Sequence, residues 1–176
     1  MKRALRYKTL AVAFCYPEGP FFDCFGGVLA EDEKQALPEE YDGLFRAQGI
    51  WLFGAEHTSA NEFEKARALA DIMGFYRAAG VEPEATRADA LPCELEFMHY
   101  VIFKELRGAQ RRGGRHKARL CLEMQRKFLA DHLLPAARAI ARAVLGQTES
   151  AFYRQAAAEL LDFLASEEDR LLGVRT

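Results

Sequence analysis

Glu94 and Glu96, two acids with one residue between them, are the residues of this sequence that most suggest acid–base chemistry. They lie in the stretch RADALPCELEFMHYVIFKE, Arg87 to Glu105, whose apolar spacing predicts a helix. A general acid and base would have to converge on one substrate atom. At about 100° per residue, Glu94 lies at the edge of the apolar stripe and Glu96 points to the far side. The spacing therefore argues against a catalytic pair.

The helix that carries these acids is predicted to lie centrally, because apolar groups cover much of its circumference. Asp89 stands where an N-cap would be, and Pro92 falls in the first turn, where its missing N–H removes no helical bond. A core helix with Asp89 as its cap and Glu94 hydrogen-bonded is the structural alternative to a recognition surface. The predicted buried stripe is Leu91, Leu95, Met98, Ile102 and Leu106.

Other residues that could hold a metal or a cofactor are scattered. The cysteines form no C-x-x-C pair, the histidines form no H-E-x-x-H motif, and no G-x-x-x-x-G-K-[ST] loop is present. We therefore expect reduced thiols, no metal site and no cofactor, and no P-loop supports nucleotide binding. The residues concerned are Cys15, Cys24, Cys93, Cys121, His57, His99, His116 and His132.

The bulk composition favours a single domain over residues 1–176, since half of the positions are apolar. A net charge of -2 gives no argument for nucleic acid or an anionic membrane. The basic segment RRGGRHKAR, 111–119, has no interleaved aromatic residues and is predicted to be an exposed connection between helices. The N-terminal apolar run is too short to span a bilayer and has no cleavage site, so we expect a cytoplasmic protein.

Helical spacing in almost every segment predicts an all-α, single-domain helical bundle. The residue before a proline disfavours helix, which ends the first helix at Tyr16 and Pro17. Pro38 is expected to open a helix, and Pro135 to kink or break one. The predicted helices are Arg3–Cys15, Phe21–Ala30, Pro38–Gln48, a helix capped by Ser59 or Asn61 and ending at Gly80, one ending near Arg107 or Gly108, His116–Leu145 and Glu149–Leu172, with an apolar loop over 49–59.

Several segments in a consistent order resemble one known family. They are RYKTLAVAFCYP, YDGLFRA, DIMGFYRAAGV, ADALPCELEFM, KFLADHLLP and AFYRQAAAELLDFL. Together they resemble the TorD/DmsD/NarJ family of cytoplasmic chaperones for molybdenum-containing redox enzymes. Two positions depart from the family signature, because Ala88 replaces its proline and Ala90 replaces a histidine associated with signal-peptide recognition.

The resemblance implies a TorD-like helical chaperone that is not an enzyme and exists as a monomer or homodimer. Its partners would be the twin-arginine signal peptide and catalytic subunit of a molybdopterin oxidoreductase, which it would hold until cofactor insertion is complete. A NarJ-like assembly factor for a membrane-bound, non-exported enzyme is an alternative. A helical-bundle enzyme and a structural subunit of a redox complex are alternatives from other classes.

A groove that binds such a leader needs carboxylates for guanidinium groups and an apolar wall. We expect the acidic segment before the central helix to meet the helix that carries YDGLFRA and the segment after it, and to form this groove with them. The candidate signal-peptide-binding residues are Leu44, Phe45, Trp51, Phe53, Glu82, Glu84, Asp89 and Glu94.

Overall fold

The structure, a computed structural model, describes residues 1–82, 87–110 and 114–173. Apart from one isolated bridge, the regular elements in these ranges are helical, which confirms the all-α prediction. None of the described helices is long and apolar enough to cross a membrane. The helices are α1 (Lys2–Ala13), α2 (Pro20–Phe25), α3 (Glu31–Tyr41), α4 (Gly54–Thr58), α5 (Glu62–Ala79), α6 (Leu91–Ala109), α7 (Arg115–Phe128), α8 (Leu134–Gln147) and α9 (Ala151–Leu172).

Helix α6 lies at the centre of the bundle, between α1 and α7. Its apolar stripe is buried as predicted, except that Leu106 is 38% exposed. Phe97 and Val101 are buried as well, so neighbours cover α6 on more than one side. Glu94 points inward, whereas the side chain of Glu96 is half exposed and pairs with Lys8. The structure thus confirms that the two acids point apart.

Two π-helical turns widen the backbone beside regular helices: Asp42–Ala47 follows α3, and Leu129–Leu133 joins α7 to α8. In the first turn, the N–H of Gln48 donates to the carbonyl of Gly43, five residues earlier, at 2.8 Å. The second turn precedes Pro135, which cannot donate a helical bond. The predicted disturbance of the long helix is therefore a wide turn rather than a loss of helix.

Three predicted boundaries are wrong. Pro38 lies inside α3, which begins at Glu31, where the Glu33 carboxylate accepts the N–H of Ala30 at 2.8 Å. Ala30 has no capping side chain, which is why the sequence shows no strong start signal there. The expected loop over 49–59 contains α4, and α2 ends at Phe25 rather than at Ala30. The predicted start of the long helix at His116 is confirmed to within one residue, because α7 begins at Arg115.

The ends of α5 agree with the sequence. Asn61 caps its N-terminus by accepting the N–H of Glu64 at 2.9 Å, and Gly80 ends it with a left-handed φ of 72°. The left-handed conformation is one that glycine adopts without strain. Helix α5 therefore leads directly into the acidic segment that precedes α6.

Candidate functional site

The segment before α4 lies against the segment before α6, and backbone hydrogen bonds join them. The N–H of Gly54 donates to the carbonyl of Asp89, and the N–H of Leu91 donates to the carbonyl of Leu52, both at 2.8 Å. Between these bonds Phe53 and Ala90 form an antiparallel bridge. The two segments thus hold Trp51, Phe53, Asp89 and the start of α6 in one place.

Asp89 is fully buried at this junction, and both of its carboxylate oxygens have donors. Arg87 donates from Nε to one oxygen and from Nη2 to the other, each at 2.9 Å, and the N–H of Ala55 donates to the second at 2.9 Å. The prediction that Asp89 caps α6 is wrong, because the cap position is Ala90, whose backbone is held extended by the bridge. Asp89 instead satisfies an N–H in the first turn of α4.

The Arg87 guanidinium lies between two carboxylates and an aromatic ring. Besides Asp89, it donates to Glu56 at 3.2 Å, and its central carbon lies 4.5 Å from the centre of the Phe53 ring. The hydrogen bonds from Arg87 to Asp89 raise the pKa of this guanidinium. A hydrogen bond from Lys65 is the main cause that lowers the pKa of the Glu56 carboxyl. Burial opposes it, and the hydrogen bond from Arg87 lowers this pKa by a smaller amount than burial raises it. The site therefore already binds one arginine side chain.

Trp51 and Phe53 form the apolar side of the site. Their rings stack with centroids 6.2 Å apart and an interplanar angle of 24°. Trp51 is 53% exposed, and its carbonyl lies 2.7 Å from Nε2 of His57 in α4. A large exposed aromatic residue beside bound charge is typical of a surface that contacts another molecule.

The other predicted site residues lie in different surroundings. Leu44 and Phe45 are buried in the core, where the Phe45 ring packs 5.4 Å from that of Tyr153. They support the site from below, through this core and through the backbone, since the carbonyl of Leu44 accepts the N–H of Ile50 at 3.2 Å. Glu82 is exposed just after α5, and Glu84 lies outside the described residues.

Glu94 lies beneath the junction and is the least satisfied polar group near it. Its side chain is 1% exposed, and its Oε2 atom has no hydrogen-bond partner among the described residues, so the expected hydrogen bond is absent. Burial, and secondarily the charge of Asp89, raises the pKa of Glu94 well above its usual value. Gly54 covers it so closely that an added Cβ would lie 3.5 Å from Oε1 of Glu94. Burial thus favours the neutral, protonated form of Glu94.

Comparison with known protein families gives a match that covers most of this chain. The profile of the nitrate reductase delta subunit family matches residues 20–141, well over half of the chain. The chain belongs to the nitrate reductase delta subunit family. This is a family of NarJ/TorD-type chaperones, which confirms the resemblance found in the sequence. A comparison with curated proteins gives no significant match.

Membership in the nitrate reductase delta subunit family makes this protein a chaperone for molybdoenzyme maturation. The matched range includes the whole junction, from Trp51 to Glu94. The junction combines carboxylates with the exposed aromatic side chain of Trp51, and its described acids do not form a converging acid–base pair. This chemistry agrees with a binding role. Among the described residues, no group of His, Cys, Asp and Glu could hold a metal ion.

The sequence analysis missed Arg87, Glu56 and Gly54. Arg87 could have been found from its closeness to Asp89 in the sequence, because the turn in which the N–H of Ala90 donates to the carbonyl of Arg87 brings the two side chains together. Glu56 is 31 residues from Arg87 in the chain, and no local pattern joins them. Gly54 gives no signal either, since its role depends on the close approach of Ala136 in α8.

Proposed function

We propose that this protein is a maturation chaperone that binds the twin-arginine leader of a molybdopterin oxidoreductase catalytic subunit. It holds this subunit in the cytoplasm until the cofactor is inserted, and it needs no catalysis of its own. The supporting observation is the junction, where the stacked rings of Trp51 and Phe53 lie beside two carboxylates that already bind the Arg87 guanidinium. Such a surface matches an arginine followed by an apolar segment.

The leader arginine competes with Arg87 for these carboxylates. Asp89 is fully buried, and removing its cation would leave an unpaired buried charge. Exchange of one guanidinium for another avoids that cost, because both can make the same bidentate contacts. The side chain of Arg87 is 30% exposed, so it can be replaced from the solvent side. Glu56 and Glu82, which are more accessible, provide the first electrostatic contact.

The apolar part of the leader packs on Trp51 and Phe53. Burial of apolar area supplies affinity at about 25 cal/mol per Å² before ordering costs are subtracted. Large aromatic residues are frequent binding hot spots, and Trp51 is half exposed before any partner binds. Leu44 and Phe45 contribute by fixing the core under this segment, and Glu94 by filling the space below it.

A second candidate is a NarJ-like role on a membrane-bound enzyme that is not exported. The family that matches this chain is named after the delta subunit of nitrate reductase. Ala90 stands where the family signature has a histidine associated with signal-peptide recognition. In that role the bound segment would be an N-terminal peptide that lacks the arginine pair. The two candidates use the same surface but differ in their need for the two arginines.

Isothermal titration calorimetry with the leader of a candidate reductase tests the proposal. We expect binding to the intact leader and at least about tenfold weaker binding when both arginines are alanine. Trp51→Ala should weaken binding of the intact leader by a similar factor. Phe103→Ala is the matched control, because Phe103 is also an exposed aromatic residue (45%) but lies near the other end of α6.

Each outcome decides one part of the proposal. Equal binding of the two peptides would reject recognition of the arginine pair and favour the NarJ-like role. Unchanged binding to Trp51→Ala would place the leader elsewhere on the protein. A stoichiometric complex of this chain with the mature, cofactor-loaded enzyme would favour a structural subunit instead.

A further inference from the structure

A second surface lies between α5, α6 and α7, away from the junction. It is a groove of about 790 Å³ whose floor includes Phe75 of α5, Val101 of α6 and Met124 of α7. Val101 is ten residues beyond the first residue of α6, which corresponds to about 15 Å along the helix. The groove is therefore distinct from the site around Trp51 and Asp89.

The rim of the groove is basic. Lys104, Lys117 and Lys127 line it, together with Asp71 and Glu123. The Asp71 carboxylate lies 2.7 Å from Nε2 of His132, and the Lys104 ammonium donates to the carbonyl of Ala79 at 2.7 Å. Lys117 and Lys127 form no ion pair with any described residue, so their charges face the groove and the solvent.

The positive charge continues along α7. Arg115, Lys117, Arg119, Arg126 and Lys127 are all exposed, and no ion pair joins them to the described part of the chain. Glu123 is the acid on this helix. Leu120 is 47% exposed between these cations and also lines the groove. Lys117 and Lys127 belong to the groove lining beside Leu120, whereas Arg115, Arg119 and Arg126 lie on the opposite face of α7. The positive charge of α7 is complementary to a partner with acidic residues beside its apolar face.

The shape of the groove favours a helix as the partner. Helices α5 and α7 form its two walls, and a third helix can pack between such ridges. Gly74 and Ala78, one turn apart on α5, are small residues in that wall, so a partner helix can approach α5 closely. Amphipathic helices commonly bind to proteins by placing their apolar face in a groove of this kind.

We propose that this groove binds an acidic amphipathic helix of the client enzyme, separate from its leader. A leader with two arginines is cationic and would be repelled by α7, so the two surfaces bind client segments of opposite charge. The chaperone can thus hold the leader at the junction and another part of the same client along α7. The proposal concerns a different surface from leader binding and can fail or hold independently.

The test uses a synthetic fluorescent helix of about 16 residues, with leucines along one face and glutamates on both flanks. Fluorescence anisotropy should show binding to the wild-type chain, and the double variant Lys117→Glu/Lys127→Glu should bind at least about tenfold more weakly. Arg142→Glu/Arg170→Glu is the matched control, because it makes the same charge change at exposed cations of α8 and α9. It should bind almost as well as the wild type.

Two further peptides separate groove binding from bulk electrostatics. A scrambled peptide with the same composition but no apolar face should bind poorly, as should a peptide with lysine in place of each glutamate. Equal weakening by both double variants, or equal binding of the scrambled peptide, would overturn the proposal. Binding of phosphatidylglycerol vesicles or duplex DNA in place of the acidic helix would also overturn it.

The same variants separate this inference from the proposed function. Lys117→Glu/Lys127→Glu should bind the twin-arginine leader with unchanged affinity, and Trp51→Ala should bind the acidic helix with unchanged affinity. Circular dichroism confirms that each variant is folded. Loss of both ligands from one variant would contradict the division into two surfaces.

Discussion

Asp89 and Glu94 are both buried carboxyl groups at the start of α6, but their surroundings have opposite effects on a negative charge. Asp89 receives three hydrogen bonds, two of them from the Arg87 guanidinium. Glu94 has no partner for Oε2, and burial raises the pKa of its carboxyl. A buried carboxylate needs a cation or several donors, and a protonated carboxyl does not. The hydrogen bonds around Asp89 therefore stabilise a negative charge, whereas the surroundings of Glu94 favour the neutral form.

The raised pKa of Glu94 predicts a pH dependence of stability. Above its usual pKa of 4.5, the unfolded chain releases the proton while the folded chain keeps it. The free energy of unfolding therefore falls as pH rises, by roughly 1 kcal/mol per pH unit, until the folded pKa is reached. We expect Glu94→Gln to remove this contribution in urea denaturation between pH 5 and 8. The half-exposed Glu96→Gln is the control, and a slope as steep in Glu94→Gln as in the wild type would contradict the assignment.

Removal of Arg87 should leave a site for a foreign guanidinium. Arg87→Ala leaves Asp89 buried without its cation, and we expect a loss of about 2 to 3 kcal/mol in the free energy of unfolding. Methylguanidinium in the millimolar range should raise the melting temperature of this variant more than that of the wild type. The exposed Arg46→Ala, which loses a pair with Asp42, is the control and should show no such rescue. Leader affinity that fell in Arg87→Ala would contradict competition for the carboxylates.

At the scale of elements, the position of α4 depends on how closely it approaches α8. A Cβ at Gly54 would lie 2.8 Å from the Cβ of Ala136, a distance that requires backbone movement. We expect Gly54→Ala to destabilise the protein by about 1 to 3 kcal/mol, although alanine favours helix. Gly74→Ala in α5 is the control, because its Cβ would meet nothing within 4 Å, and it should stabilise by up to about 1 kcal/mol. Similar melting temperatures for the two variants would contradict this account.

The apolar spacing and the capping residues predicted those helices whose buried face and ends depend on residues close together in the sequence. The stripe of α6 and both ends of α5 follow from apolar spacing, an asparagine cap and a glycine stop. The start of α3 does not, because Ala30 offers no cap and Pro38 suggests a later start. At the candidate site, Trp51 and the acids were visible in the sequence, but their supports were not. Glu56 and Gly54 act across distances of tens of residues, which no local pattern encodes.

At the scale of the whole molecule, a polar network ties the two ends of the chain together inside the bundle. Arg3 of α1 donates to both carboxylate oxygens of Glu167 in α9, at 2.8 and 2.6 Å, and to Gln125 of α7 at 2.8 Å. The Tyr7 hydroxyl donates to Glu167 at 2.9 Å. These contacts join α1, α7 and α9 across 164 residues of sequence. The network therefore fixes α1, on which α6 and the candidate site rest.

The neighbouring acids Glu167 and Glu168 offer a matched test of this network. The Arg3 and Glu167 side chains are 13% and 3% exposed, so Glu167→Ala leaves a nearly buried cation unpaired and should cost about 3 kcal/mol. Glu168 pairs with Arg138, whose side chain is 35% exposed, and Glu168→Ala should cost less than about 1 kcal/mol because solvent screens that pair. Urea denaturation measures both. Because α1 supports α6, hydrogen exchange in α6 should also accelerate in Glu167→Ala, and exchange confined to α1 and α9 would show that the network stabilises only its own helices.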